Sequence, residues 1–146
     1  MLPVIPLSYW AILVGVLANV VIGFLWFGPL FGKPWAKEMG YENMEPDTKA
    51  MMKSMGIMII GSFLTGFVLA HSLFVWKPSS WNLTGDGPAW MYGAYAAFYT
   101  WLGFYIPQLL GSVAWESRSW KLFTINAGYN LVSLAVIGQI LAAWPA

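Results

Sequence analysis

The chain has 146 residues, no cysteine and a formal net charge of +1, with charged side chains at 9% of positions and hydrophobic ones at 59%. Globular domains spend about a quarter of their positions on charge, so a water-soluble fold is excluded. Disulfides, thiolate metal sites and cysteine nucleophiles go with it, and the near-neutral balance argues against nucleic acid as a partner.

The charges are confined to three windows, Lys33–Lys53, Lys77–Asp86 and Glu116–Lys121, which leave residues 1–32, 54–76, 87–115 and 122–146 uncharged. Each uncharged stretch is at least the roughly 20 residues a helix needs to cross about 30 Å of hydrocarbon. A bilayer offers no water to the backbone, and the apolar runs lack the alternation of a membrane barrel, so the spans are read as helices. The expectation is an all-α, polytopic membrane protein. A single domain over residues 1–146 forms a four-transmembrane-helix bundle with spans at about 7–27, 50–76, 89–115 and 121–144.

Span one enters after Pro3 and Pro6 and is expected to stop at Gly28-Pro29, where proline removes a backbone donor. No basic residue precedes its apolar run and no small-residue cleavage pattern follows it, so it reads as a retained helix. Gly15, Asn19, Gly23 and Trp26 recur along one face, a stripe that admits a close neighbour. From Phe31 to Met39 the apolar Phe31, Trp35 and Met39 alternate with Lys33, Lys37 and Glu38, which predicts a short interfacial helix on the cytoplasmic surface. Pro46-Asp47-Thr48 opens span two, with Gly61, Ser62, Thr65 and Gly66 as its packing residues. The loop after it carries Trp81 between Trp76 and Trp90, an outer aromatic belt.

Span three sets Gly93, Ala97, Thr100, Phe104, Pro107 and Gly111 on one face, and Pro107 is expected to kink it. Span four holds Asn126, Asn130 and Ser133 at helical spacing beside Tyr129, the most polar stripe in the chain and a natural source of interhelical hydrogen bonds. Six of the seven Lys and Arg residues fall in the first and third loops. The positive-inside rule therefore makes those loops cytoplasmic and puts both termini outside.

No span contains Asp, Glu, Lys or Arg, so a carboxylate relay within the membrane is excluded and ion-coupled transport loses its usual mark. His71, the single histidine, is placed in the outer third of span two, close to Asp86, Tyr92 or the tryptophans, as an interfacial hydrogen-bonding group rather than a metal ligand. Met51, Met52, Met55 and Met58 form a thioether cluster of the kind that selects Cu(I), although methionine is also common membrane filler. Trp26, Tyr99, Trp101 and Tyr105 are candidates for an aromatic pocket, against the simpler reading of interfacial anchors. Glu116 and Arg118 are set to pair with the Lys33, Lys37 and Glu38 region. The sequence assigns no catalytic residue, metal site or cofactor.

Two segments, Asn19-Val20-Val21-Ile22-Gly23-Phe24-Leu25-Trp26-Phe27-Gly28-Pro29-Leu30-Phe31-Gly32-Lys33-Pro34-Trp35 and Lys121-Leu122-Phe123-Thr124-Ile125-Asn126-Ala127-Gly128-Tyr129-Asn130-Leu131, resemble a family of small bacterial integral membrane proteins, domain of unknown function 1761. The resemblance covers nearly the whole chain, with Phe27 and Asn130 standing where the family often has Tyr and His. It implies a fold and a bacterial inner-membrane location, and brings no substrate, cofactor or catalytic residue. The shared residues suggest one device: Asn19 hydrogen-bonded to Asn126 or Asn130, and Gly28-Pro29 turning the chain so that Trp35 docks on the cytoplasmic rim.

Three functions are then in play. The first is a non-enzymatic accessory subunit or homo-oligomer packed through its glycine-rich faces. The second is a carrier or channel for a small neutral, aromatic or lipid-like molecule, with Asn19, Gln108, Asn126, Tyr129 and Asn130 lining its path. The third is a ligand sensor or membrane enzyme that works through a bound cofactor.

Overall fold

The computed structural model describes residues 1–145, and among them there are helices and no strands. Helix α1 runs Tyr9–Leu25 and starts where the Ser8 side chain accepts a hydrogen bond from the Ala11 amide. It does not stop at Gly28-Pro29. The helix widens into a π turn over Trp26–Leu30, and the Phe31 amide reaches back to the Trp26 carbonyl at 2.8 Å. The wider turn absorbs the proline's missing donor and its clash with the preceding turn without ending the helix.

Helix α2, Gly32–Met39, follows directly and ends at Gly40, whose left-handed φ of 78° lets the Gly40 and Tyr41 amides close back on Lys37 and Ala36. Helix α3 spans Thr48–Val75, capped by the Asp47 carboxylate on the Ala50 amide. A short 3-10 turn at Pro78–Trp81 leads to α4, Ala89–Thr100. The stretch read as one α-helix from 89 to 115 contains a second π turn, Trp101–Tyr105, before α5 at Ile106–Trp115. Pro107 lies in the first turn of α5, so the accommodation precedes the proline. Helix α6, Trp120–Ala143, is capped by Ser119 on the Leu122 amide.

Among the described residues three helices are long and apolar enough to cross a membrane: Tyr9–Leu30, Thr48–Val75 and Trp120–Ala143. Helix α6 is the hub, packed against α1, α3 and α4. It meets α4 backbone to backbone, because a Cβ built on Gly93 would sit 2.6 Å from the Gly138 carbonyl oxygen, and one on Gly138 equally close to that of Gly93. The core of Ile12, Leu69, Leu73, Leu134 and Ile137, all fully buried, occupies the half of the bundle nearer the N-terminus of α1.

In the other half α1 and α6 stay packed while α3 leaves them. Every residue from 41 to 60 is exposed, so the first three turns of α3 stand clear of the bundle. Several expected packing residues accordingly lie elsewhere. Ser62 and Gly66 are buried, with Gly66 against Ile12, whereas Gly61 faces open space. Along the third span, residues 89–115, Gly93 and Ala97 are buried, whereas Phe104 is 74% exposed and a Cβ on Gly111 would meet nothing within 4 Å.

A polar node and a lateral groove as the candidate functional site

The stripe on α1 faces α6. Gly15 lies against Ile137, Gly23 against the Tyr129 hydroxyl, and the Trp26 indole N–H donates to the Ile125 carbonyl at 3.0 Å. Gly128 is the slot for that indole, since a Cβ there would be 2.9 Å from Trp26 Cζ2. The second π turn repeats the device: the Trp101 indole donates to the Ala127 carbonyl at 2.8 Å. Each widened turn thus begins with a tryptophan that grips α6.

Asn19, 8% exposed, is the centre of the bundle's hydrogen bonding. Its Oδ1 accepts from the Tyr129 hydroxyl at 2.7 Å and from the Ser133 hydroxyl, and its Nδ2 donates to Ser62 Oγ. One amide therefore ties α1 to α3 and α6. The partners expected for it, Asn126 and Asn130, are not its partners. Asn126 lines a separate small cavity with Met39, Ser112, Glu116 and Arg118, and Asn130 faces the polar cavity described next.

Two cavities meet at the node. The first is a groove of about 460 Å³ between α1 and α3, walled by Val20, Gly23, Phe24, Phe27, Gly28 and Pro29 on one side and by Met51, Met55 and Met58 on the other. Asn19, Ser62 and Tyr129 close its end. The second, of about 220 Å³, shares Asn19, Met58, Ser62 and Tyr129 as walls and adds Thr65, Tyr105, Asn130 and Ser133. Thr65 and Tyr105 face each other there, hydroxyl to hydroxyl, at 3.4 Å. No charged residue lines either cavity. From Asn19 to Pro29 the groove follows the helix for about 15 Å, at a rise of roughly 1.5 Å per residue.

Aromatic contacts connect the node to α2. Phe27 packs edge-on against Tyr129 at 4.9 Å and against Trp35 at 5.5 Å, and Trp35 meets Tyr41 at 5.7 Å. Trp35 is therefore docked, though on Phe27 of a continuing helix rather than beyond a chain turn.

The remaining candidates do not converge here. His71 Nδ1 is paired at 2.8 Å with the Phe67 carbonyl of its own helix, not with Asp86 or Tyr92, because the preceding turn offers the nearest acceptor. Gln108 is exposed on α5 and lines neither cavity. Tyr99 lines a separate cavity with Trp76, Tyr92 and Tyr95, whereas Tyr105 lines the polar cavity, so the four aromatic candidates form no single pocket. Met51, Met55 and Met58 share the groove wall, and among the described residues no three His, Cys, Asp or Glu side chains group as a metal site. Among the described residues Glu116 and Arg118 make no ion pair with the α2 region. Among the described residues the ion pair present is Lys77–Asp86, at 3.8 Å, in the loop between α3 and α4.

That loop is tightly bonded. Asp86 accepts from the Ser79 hydroxyl at 2.6 Å and from its amide at 2.8 Å, and these bonds, aided by Lys77, hold its carboxyl below the ordinary aspartate value. Val20 and Phe24, which wall the groove, and Gln139, whose side chain donates to the Trp90 carbonyl, are not among the residues expected from the sequence. Val20 and Phe24 carry no signal beyond apolarity. The polar Gln139 in an apolar helix did mark an interhelical bond.

No curated protein and no solved structure matches the chain. A family model described as "Protein of unknown function (DUF1761)" matches residues 10–142, a range that takes in the node, both groove walls and both π turns. The chain belongs to that family.

Proposed function

We propose that this chain is a four-span protein of the bacterial inner membrane that takes a small lipid-like molecule laterally from the bilayer and carries or presents it without converting it. One observation carries the reading: an apolar groove of about 460 Å³, open between α1 and α3, ends on the buried amide and hydroxyls of Asn19, Ser62 and Tyr129. Ligand sites in general pair an apolar lining with a few placed polar groups. A fourth span is supported by the run of helix from Ala89 to Trp115, which carries no charged residue. The six basic residues of the first and third loops support cytoplasmic placement of those loops, with both termini outside. The same absence of charge in the spans leaves carboxylate and ammonium chemistry without a group to perform it.

Native mass spectrometry of protein released gently from its own membranes tests this. The wild type should retain a lipophilic adduct, and Val20→Trp, which fills the groove, should lose it while keeping its fold. A bare wild-type mass, or an adduct that survives Val20→Trp, contradicts the reading.

A second reading, an accessory subunit or homo-oligomer, is favoured by the exposure of Met51, Met52, Ile57 and Ile60 on the free turns of α3. The glycine faces support it less, since Gly15, Gly23, Gly66, Gly93, Gly128 and Gly138 all meet neighbours within one chain. The same spectrum reports it as a higher-order mass.

A further inference from the structure

We infer that the occupant of the groove is an uncharged lipophile bearing a hydroxyl or carbonyl oxygen, bound with that oxygen at the Asn19 node near the middle of the bilayer and its apolar body lying along the groove toward the cytoplasmic surface. This deepens the proposed function and rests on it.

Depth restricts what can bind. Asn19 falls near the centre of Tyr9–Leu30, and Ser62 and Tyr129 near the centres of their own membrane-length helices. The node thus lies about half a hydrocarbon thickness, roughly 15 Å, from either surface. The groove runs from there toward the end that carries Pro29 and Met51. A molecule filling it points its polar atom inward and its tail outward, the reverse of a membrane phospholipid. A charged headgroup cannot take that position without a countercharge, and neither cavity has one.

Hydrogen-bonding capacity restricts it further. Asn19 Oδ1 is filled by Tyr129 and Ser133, but Nδ2 has two hydrogens and gives one to Ser62. The Ser62 hydroxyl, which accepts from Asn19, keeps its own hydrogen to give. The Tyr129 and Ser133 oxygens, which donate to Asn19, keep lone pairs to accept. The Asn130 side-chain amide lines the neighbouring wall. The node therefore has both donors and acceptors to spare, which suits a hydroxyl in either sense and a carbonyl through its donors.

The wall itself restricts the body of the ligand less. Three methionines on one face of α3 make a polarizable, adaptable surface of the kind used where ligand shape varies. The polar end sets the chemistry, and the methionine wall leaves the body loosely specified.

The test uses the full-length protein in nanodiscs and three photoreactive probes that share one sixteen-carbon diazirine chain, ending in a hydroxyl, a sulfonate or a trimethylammonium group. Labelling of peptides containing Val20, Phe24 and Met55 is read by mass spectrometry. The hydroxyl probe should label them at least about tenfold more than either charged probe. Ser62→Ala and Tyr129→Phe, which leave the groove open, should each lower that preference by up to about tenfold, the range of one net hydrogen bond. Equal labelling by all three probes would overturn the inference and leave a lipophile groove without headgroup selection. Absence of groove labelling by any probe would overturn the proposed function as well. A parallel arm compares protein from native membranes with protein refolded in synthetic lipid. A hydroxyl- or carbonyl-bearing adduct in the first alone identifies the occupant as a resident membrane component, and no adduct in either overturns the inference. A phospholipid as the native adduct would contradict the inference.

Discussion

Substituting Gly93 with alanine tests the packing on which the site depends. A Cβ at this position would lie 2.6 Å from the Gly138 carbonyl oxygen, 2.9 Å from its carbonyl carbon and 3.1 Å from Ala142 Cβ. Two of the three obstacles are backbone, so no side-chain rotation relieves them and α4 must move off α6. Overpacking of this kind costs about 1–3 kcal/mol. Alanine's higher helix propensity returns at most about 1 kcal/mol, so the net effect is destabilising. Gly61→Ala supplies the control, because a Cβ there meets nothing within 4 Å. Unfolding of each variant in mixed micelles, titrated with a denaturing detergent and followed by circular dichroism, should show Gly93→Ala less stable and Gly61→Ala unchanged or slightly more stable. Equal midpoints for the two variants would refute the close α4–α6 approach.

Three further outcomes follow from particular contacts. Asn19→Ala removes three hydrogen bonds at once, and at roughly 0.6–1 kcal/mol each within a membrane it should cost about 2–3 kcal/mol, while Asn126→Ala, away from the node, should cost far less in the same titration. Gly128→Ala should displace the Trp26 indole and break its bond to Ile125, a loss that Trp26→Phe in the same background should largely absorb. Asp86 has its carboxyl lowered first by the Ser79 hydroxyl, then by the Ser79 amide and Lys77. Its contribution to the loop is therefore full above the ordinary value near 3.8 and disappears as pH falls through the lower folded value. The carboxyl carbon shift of Asp86, followed by NMR, should titrate below 3.8 in the wild type and move up toward it in Ser79→Ala.

The stripe of Gly15, Asn19, Gly23 and Trp26 was legible because small and polar residues four apart stand out in an apolar helix, and all four do face α6. Their partners were not. Asn126 and Asn130 carry the more conspicuous amides, but α6 is rotated so that Tyr129 and Ser133 meet Asn19. A membrane helix is apolar on every side, so hydrophobic periodicity, which fixes rotation in a soluble helix, carries little information here.

The π turns were hidden for a related reason. Proline ends helices readily where water can take up the freed carbonyls. In hydrocarbon those carbonyls have no such partner, and the helix widens past Pro29 instead of stopping. The capping residues Ser8, Asp47 and Ser119 lie at the helix ends, and the start of α3 at Pro46-Asp47-Thr48 was legible because that triplet is a local signal. The divergence of α3 from the bundle, which creates the groove, has no local signal at all, since residues 54–60 are as apolar as the packed turns that follow them.

The groove's occupant can be caught in place. A photoreactive amino acid at Met55, on the groove wall, and at Leu64, exposed on the same helix but outside both cavities, would be activated in intact native membranes and the products weighed. Position 55 should yield one discrete, uncharged, oxygen-bearing adduct, whereas position 64 yields the mixed phospholipids of the surrounding bilayer. Identical phospholipid mixtures at both positions would mean that the groove is ordinary lipid-facing surface, and the account of a binding site there would be wrong.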